Sequence, residues 1–142
     1  MRTEQLTLTD AEFAQLQQSA PDDGSGDSTG KRATALAHIY LARLHPGAET
    51  VQIPSGADIA LRHHNEVFSY EIKGTRDSHI APDKLKVSSL DSYNLLVAGA
   101  PLLRITAVFQ RTPVVHTMLY GADFTLRPEP RWSLHLTNGR NA

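Results

Sequence analysis

Residues 57–73 constrain this chain more than any other stretch. They read as two strands joined by a two-residue turn at His64-Asn65, where Asn tolerates the positive φ of a primed turn. In that register Ala57 faces Ile72, Ile59 faces Tyr70 and Leu61 faces Phe68. Directly opposed side chains point the same way, so these form one wholly apolar face. A slip of one residue would expose that face, which makes the register tightly specified. The other face then follows without further freedom. Asp58 faces Glu71, Ala60 faces Ser69 and Arg62 faces Val67, with Lys73 two residues beyond Glu71 on the same side.

Opposed like charges destabilise a sheet, so the Asp58–Glu71 pair calls for a cation. Two oxygen-donor groups aimed at one point suit a hard divalent ion, Mg²⁺ foremost and Mn²⁺ as the alternative. Such an ion polarises a phosphoryl oxygen and lowers the pKa of a bound water. Beside it, Lys73 can orient that water, act as its base, or offset charge building on the phosphate. The competing reading is a surface salt bridge between Lys73 and one carboxylate.

Around this hairpin the elements alternate. Thr9-Asp10-Ala11-Glu12 is a capping box, and Phe13, Leu16 and Ala20 follow at helical spacing, predicting a helix over about residues 10–19. Residues 21–30 are polar, acidic and rich in glycine, and read as a flexible linker. Leu36, Ile39, Tyr40 and Leu44 make a stripe, widened by Ala33, Ala37 and Leu41, that predicts a helix over 31–45, stopped by Pro46-Gly47. Ser88 with Asp91 opens a helix through Leu90, Tyr93, Leu96 and Val97, ending at Gly99. Residues 102–109 predict an apolar strand buried on both faces, and 114–120 another. Residues 131–137 alternate, with Trp132, Leu134 and Leu136 expected inward. Helix, helix, strands, helix, strands makes an α/β (α+β) fold, a mixed sheet with helices packed on it. At 142 residues this is one domain, with residues 1–30 as a short helix and linker ahead of a body at 31–142.

The net charge of −1 hides an asymmetry. Residues 1–30 hold one basic residue and six acids, whereas 31–142 hold thirteen basic residues and nine acids. A mildly basic body suits a polyanion, although a mixed solvated surface looks the same. The absence of cysteine excludes disulfides, thiolate metal sites and cysteine nucleophiles. No long apolar run reads as a membrane span, and Met1–Gln5 lacks the apolar core of a signal peptide, so a cytoplasmic protein is expected.

Other motifs fail on their own chemistry. Gly30-Lys31 is not a phosphate loop, because Ser25 stands where glycine is needed and Arg32 where Ser or Thr is needed. The seven histidines show no zinc-binding spacing, and no Gly-x-Ser-x-Gly elbow exists.

Asp58 on one strand and Glu71-Ile72-Lys73 on the next resemble the PD-(D/E)XK nuclease superfamily. The fuller context, Gly56-Ala57-Asp58-Ile59 and Tyr70-Glu71-Ile72-Lys73-Gly74-Thr75, is similar to the NO VEIN C-terminal branch, over roughly residues 30–120. The resemblance implies a restriction-endonuclease-like mixed central sheet flanked by helices. It implies metal held by Asp58, Glu71 and the main-chain carbonyl of Ile72, with Lys73 assisting the attacking water. It also implies a restriction or defence setting. One departure stands out: where many relatives carry a glutamate on the preceding helix, this chain has Thr34, with Glu49 a weak substitute.

The expectation is a metal-dependent nuclease acting on nucleic acid, DNA rather than RNA, as a homodimer or within a larger complex and away from membranes. Arg62, Thr75, Arg76, Lys84 and Lys86 are the expected nucleic-acid contacts, on their nearness in sequence to the cluster. Solvated charges flanking loops are the competing reading of those positions. The alternative function is a catalytically inactive nuclease fold that binds nucleic acid or protein, which the missing acid at Thr34 favours. An accessory or inhibitor protein with a chance motif is the third.

Overall fold

The computed structural model describes residues 1–80, 86–130 and 132–137. Among them are six strands and three helices: β1 (Arg2–Gln5), α1 (Asp10–Ser19), α2 (Gly26–Leu44), β2 (Glu49–Thr50), β3 (Ile59–His63), β4 (Glu66–Gly74), α3 (Leu90–Val97), β5 (Leu102–Thr106) and β6 (Val114–Met118). The strands form one mixed sheet in the order β1-β6-β5-β4-β3-β2. Only β4 and β5 run parallel, joined through α3, and the other pairs are antiparallel.

The hairpin forms in the expected register. Ile59 pairs with Tyr70, Leu61 with Phe68 and Arg62 with Val67. His64 and Asn65 both have positive φ, 51° and 64°, as a primed turn requires. The apolar face of the hairpin packs on α2: Ile59, Leu61, Tyr70 and Ile72 share a buried core with Ala33, Leu36, Ala37 and Tyr40. Leu102 lies on the opposite face with Glu71, and there it meets Leu96 of α3 and Met118. The sheet is therefore covered by α2 on one side and by α3 on the other. All five residues of β5 are buried, as expected of a strand covered on both faces.

Both glycines of the hairpin motif have steric reasons. A Cβ on Gly74 would lie 2.4 Å from the Ala33 Cβ, so its absence lets α2 sit directly on β4. At Gly56 φ is +90°, and a Cβ would lie 2.4 Å from the Asp91 carbonyl carbon at the first turn of α3. Ser92 Oγ donates to the Gly56 carbonyl at 3.0 Å, fastening the same contact.

Several expectations need correction. The helix expected from residue 31 begins at Gly26, capped by Ser25, whose Oγ accepts from Ser28 N at 3.1 Å. A side-chain cap and Asp27 in the first turn offset the poor helix propensity of two glycines. Ser28 is buried, so the segment read as a linker contributes to packing. The α3 cap is Ser89 rather than Ser88. Strands β1 and β2 were not expected. β1 is a polar edge strand that buries no residue fully and so leaves no alternating hydrophobic signal. The strand expected over 131–137 is absent among the described residues, which leave out Arg131. Trp132 and Leu134 are 92% and 86% exposed, the reverse of the inward placement expected.

The acidic N-terminal segment is folded onto the basic body. Asp10 pairs with Arg111, Glu12 with Arg43, and Asp22 with Arg76. At the centre of this contact lies Arg32, fully buried. Its guanidinium sits between the rings of Phe13 (5.6 Å) and Phe109 (5.4 Å), with Arg111 near the Phe13 ring and Arg76 near the Phe109 ring. Arg32 Nε donates to the Val108 carbonyl at 3.2 Å, and Nη1 donates to Gln17 Oε1 at 3.2 Å and to the Ala20 carbonyl at 3.1 Å. One side chain thus ties the end of α1 to the turn after β5.

Two histidines tune stability with pH. His45 caps α2 and stacks on Phe68 at 5.7 Å, with His63 at 5.1 Å. Burial, and then the neighbouring His63, hold His45 below the ordinary histidine value. Burial and Arg104 do the same to His116. The unfolded chain therefore takes up more protons than the folded one between the folded values and about 6.5. Stability is expected to fall as pH drops below that value, before acids such as Glu12 and Asp22, held low by their hydrogen bonds, begin to protonate. Urea midpoints from pH 7.5 to 5 check this: the double variant His45→Gln/His116→Gln should flatten the slope.

Candidate metal and phosphate site

Glu71 and Lys73 project from β4 on the face opposite α2, because Tyr70 and Ile72 occupy the α2 face and side chains alternate along a strand. Glu71 is buried, with 5% of its surface exposed. Lys73 Nζ stands 3.3 Å from Glu71 Oε1. The β3–β4 ladder ends at the Ile59–Tyr70 pair, short of the expected Ala57–Ile72 and Asp58–Glu71 pairings: Ala57 N–H turns to the Pro54 carbonyl, and Asp58, just before β3, donates its N–H to the Tyr70 carbonyl at 2.9 Å. Asp58 Oδ2 accepts the Ile72 N–H at 2.7 Å. Its charge reaches Glu71: burial pushes the Glu71 carboxyl above the ordinary glutamate range, and Asp58 pushes it further. Lys73 and a hydrogen bond from Ser92 of α3 pull it partly back.

Glu71 N donates to the Pro101 carbonyl and Thr75 N to the Ile105 carbonyl, so odd-numbered residues of β4 direct their backbone groups toward β5. Ile72 directs its own the other way, as its N–H to Asp58 shows. Its carbonyl therefore points to the Asp58 side. The Ile72 carbonyl thus lies on the same edge of β4 as Asp58, and the Asp58 charge is felt by the Glu71 carboxylate on the adjoining face.

The expected nucleic-acid contacts are placed unevenly. Lys86 shares a cavity of about 350 Å³ with Lys73 and also pairs with Glu129 at 2.7 Å. Arg62 is exposed on the same face as Asp58 but four residues along, about 13 Å away. Arg76 is held by both Asp22 carboxylate oxygens, at 2.9 and 2.8 Å. Thr75 is buried, its hydroxyl engaged with Asp77. Lys84 lies outside the described residues. Thr34 bonds its hydroxyl back to the Gly30 carbonyl within α2. Glu49, on β2, lies opposite Arg62 in the β2–β3 ladder.

One charged neighbour was missed. Arg104 on β5 lies opposite Lys73 in the β4–β5 ladder, 2% exposed, and its Nε has no hydrogen-bond partner among the described residues. Burial holds its guanidinium below the ordinary arginine value, and the nearby charge of Asp77 offsets only part of that. An arginine inside the apolar run of 102–109 is the signal that could have drawn attention to it.

Among the described residues, no group of three or more His, Cys, Asp or Glu side chains is arranged to hold a metal. Also among them, no helix is long and apolar enough to cross a membrane. Compared with protein-family models, curated proteins and solved structures, the chain matches none.

Proposed function

We propose that this protein is a metal-dependent nuclease of restriction-endonuclease-like fold that hydrolyses phosphodiester bonds, in DNA rather than RNA. The observation that carries the reading is Glu71: a carboxylate pushed up first by its burial and then by the charge of Asp58, with a lysine 3.3 Å away. Asp58 accepts the Ile72 N–H, yet its charge still opposes that of Glu71, a repulsion that a divalent cation offsets.

The donor set fits Mg²⁺ or Mn²⁺: the Asp58 and Glu71 carboxylates and the Ile72 carbonyl would hold the ion, leaving further positions to water and phosphate. When bound, the ion supplies Lewis-acid polarisation of the phosphate and a more acidic water. The chain's own residues do the rest. β4 carries Glu71, and Asp58 is tied to the same strand by its N–H to the Tyr70 carbonyl and its carboxylate to the Ile72 N–H. Lys73, in contact with Glu71, would orient the attacking water and offset charge on the phosphate. The same fold, acting in the cytoplasm in a restriction or defence setting and as a dimer or in a larger complex, is the fuller form of this proposal.

Mn²⁺ titration followed by electron paramagnetic resonance tests the site. Wild type should bind Mn²⁺, and Glu71→Gln and Asp58→Asn should each weaken binding at least about tenfold, the loss expected when a charged oxygen ligand is neutralised. Equal binding by wild type and Glu71→Gln would show that the pair is only a salt bridge.

A further inference from the structure

A groove leads away from Lys73. The cavity of about 350 Å³ beside it is walled by Leu102, Met118 and Phe124. A second cavity, of about 940 Å³, shares Lys86, Val87, Thr125 and Leu126 with the first and runs past Tyr93 to Arg127. Together the two adjoining cavities are lined by cations (Lys73, Lys86, Arg127) and rings (Phe124, Tyr93), with aliphatic side chains between them. Tyr93 is 40% exposed, although it belongs to the apolar stripe of α3. Two acids also border the groove. Asp123 is occupied by the Met1 ammonium at 2.7 Å and the Leu119 N–H at 2.8 Å, and Glu129 is paired with Lys86 in an exposed contact that a phosphate can replace.

Resting on the function proposed above, we infer that this groove takes single-stranded nucleic acid, with one unstacked base in the cavity beside Lys73. Duplex DNA presents phosphates and keeps its bases stacked, so it would leave the aliphatic side chains and both rings unused. A single strand engages both: its phosphates meet the cations and its bases stack on the rings, at a gain worth about tenfold in affinity per base. A base next to the scissile phosphate must leave its stack to enter the first cavity. The chain would therefore act on single-stranded segments, ends or flaps, and not on an uninterrupted duplex.

The test is fluorescence anisotropy in EDTA, where no cleavage occurs, with short labelled oligothymidine and a duplex of equal length. The single strand should bind at least about tenfold tighter, and Tyr93→Ala and Arg127→Ala should each weaken it by about fivefold or more. Both positions are at the surface, so unchanged thermal melts will separate lost contacts from lost fold. A 2-aminopurine base in the strand should be quenched by wild type and much less by Phe124→Ala. Equal or tighter duplex binding, or no effect of Tyr93→Ala and Arg127→Ala, overturns the inference. A protein that shows this but cuts single-stranded DNA with no metal keeps the groove and loses the proposed mechanism. One that cuts duplex in Mg²⁺ without the preference loses the groove alone.

Discussion

Replacing Lys73 with alanine is expected to slow DNA hydrolysis about a thousandfold while Mn²⁺ binding at pH 8 is retained. The size follows from what a positioned proton-transfer or charge-stabilising group contributes, about 10²–10⁴-fold. Lys73 is not among the oxygen donors, so the carboxylates would keep the proposed ion. It does lower the Glu71 pKa, which burial and Asp58 have raised. Without it Glu71 is protonated more readily, so metal binding by Lys73→Ala should weaken faster than that of wild type as pH falls. Single-turnover cleavage rates beside Mn²⁺ titrations at two pH values read both effects. Loss of rate and of metal binding together at pH 8 would make Lys73 a structural support of Glu71. An unchanged rate would remove it from the chemistry.

The hairpin was legible in the sequence because its determinants are local. Alternation over residues 57–73 fixes the faces, and the His64-Asn65 turn fixes the register. Glu71 and Lys73 follow from those two facts alone. What surrounds them was not legible. Arg104 reaches Lys73 only because β4 and β5 pair in parallel in one particular register, which no local pattern encodes. Arg76 looked available from its nearness in sequence, but Asp22, far back in the chain, holds it. The glycine-rich segment has the composition of a linker, yet the Ser25 cap holds its second half in the first turn of α2. The alternation at Trp132, Leu134 and Leu136 met no element to pack against, and a period of two is necessary for a half-buried strand without being sufficient.

The second large effect lies in the fold. Arg32→Ala is expected to cost about 3 kcal/mol and lower the melting temperature by roughly 10 °C. The change removes three hydrogen bonds, leaving the Ala20 and Val108 carbonyls without that donor. It also empties the space between the Phe13 and Phe109 rings. Arg32→Lys should recover little, since an ammonium cannot reach two carbonyls and fill a flat slot between rings. Arg76→Ala, which removes an exposed ion pair and one ring contact, should change the melt far less. Urea unfolding of the three variants ranks them. Equal stability of Arg32→Ala and Arg76→Ala would mean that the buried guanidinium does not fasten α1 to the sheet.

The reading of Asp58, Glu71 and Lys73 as a metal-dependent phosphodiesterase meets its most direct test in one cleavage assay. Supercoiled plasmid and circular single-stranded DNA are incubated with wild type in Mg²⁺, in Mn²⁺ and in EDTA, alongside Glu71→Ala. The expected result is nicking or linearisation with either metal, none in EDTA, and none by Glu71→Ala. Salt-sensitive DNA binding with no cleavage in any metal would contradict it, and would leave a binding module on the same sheet.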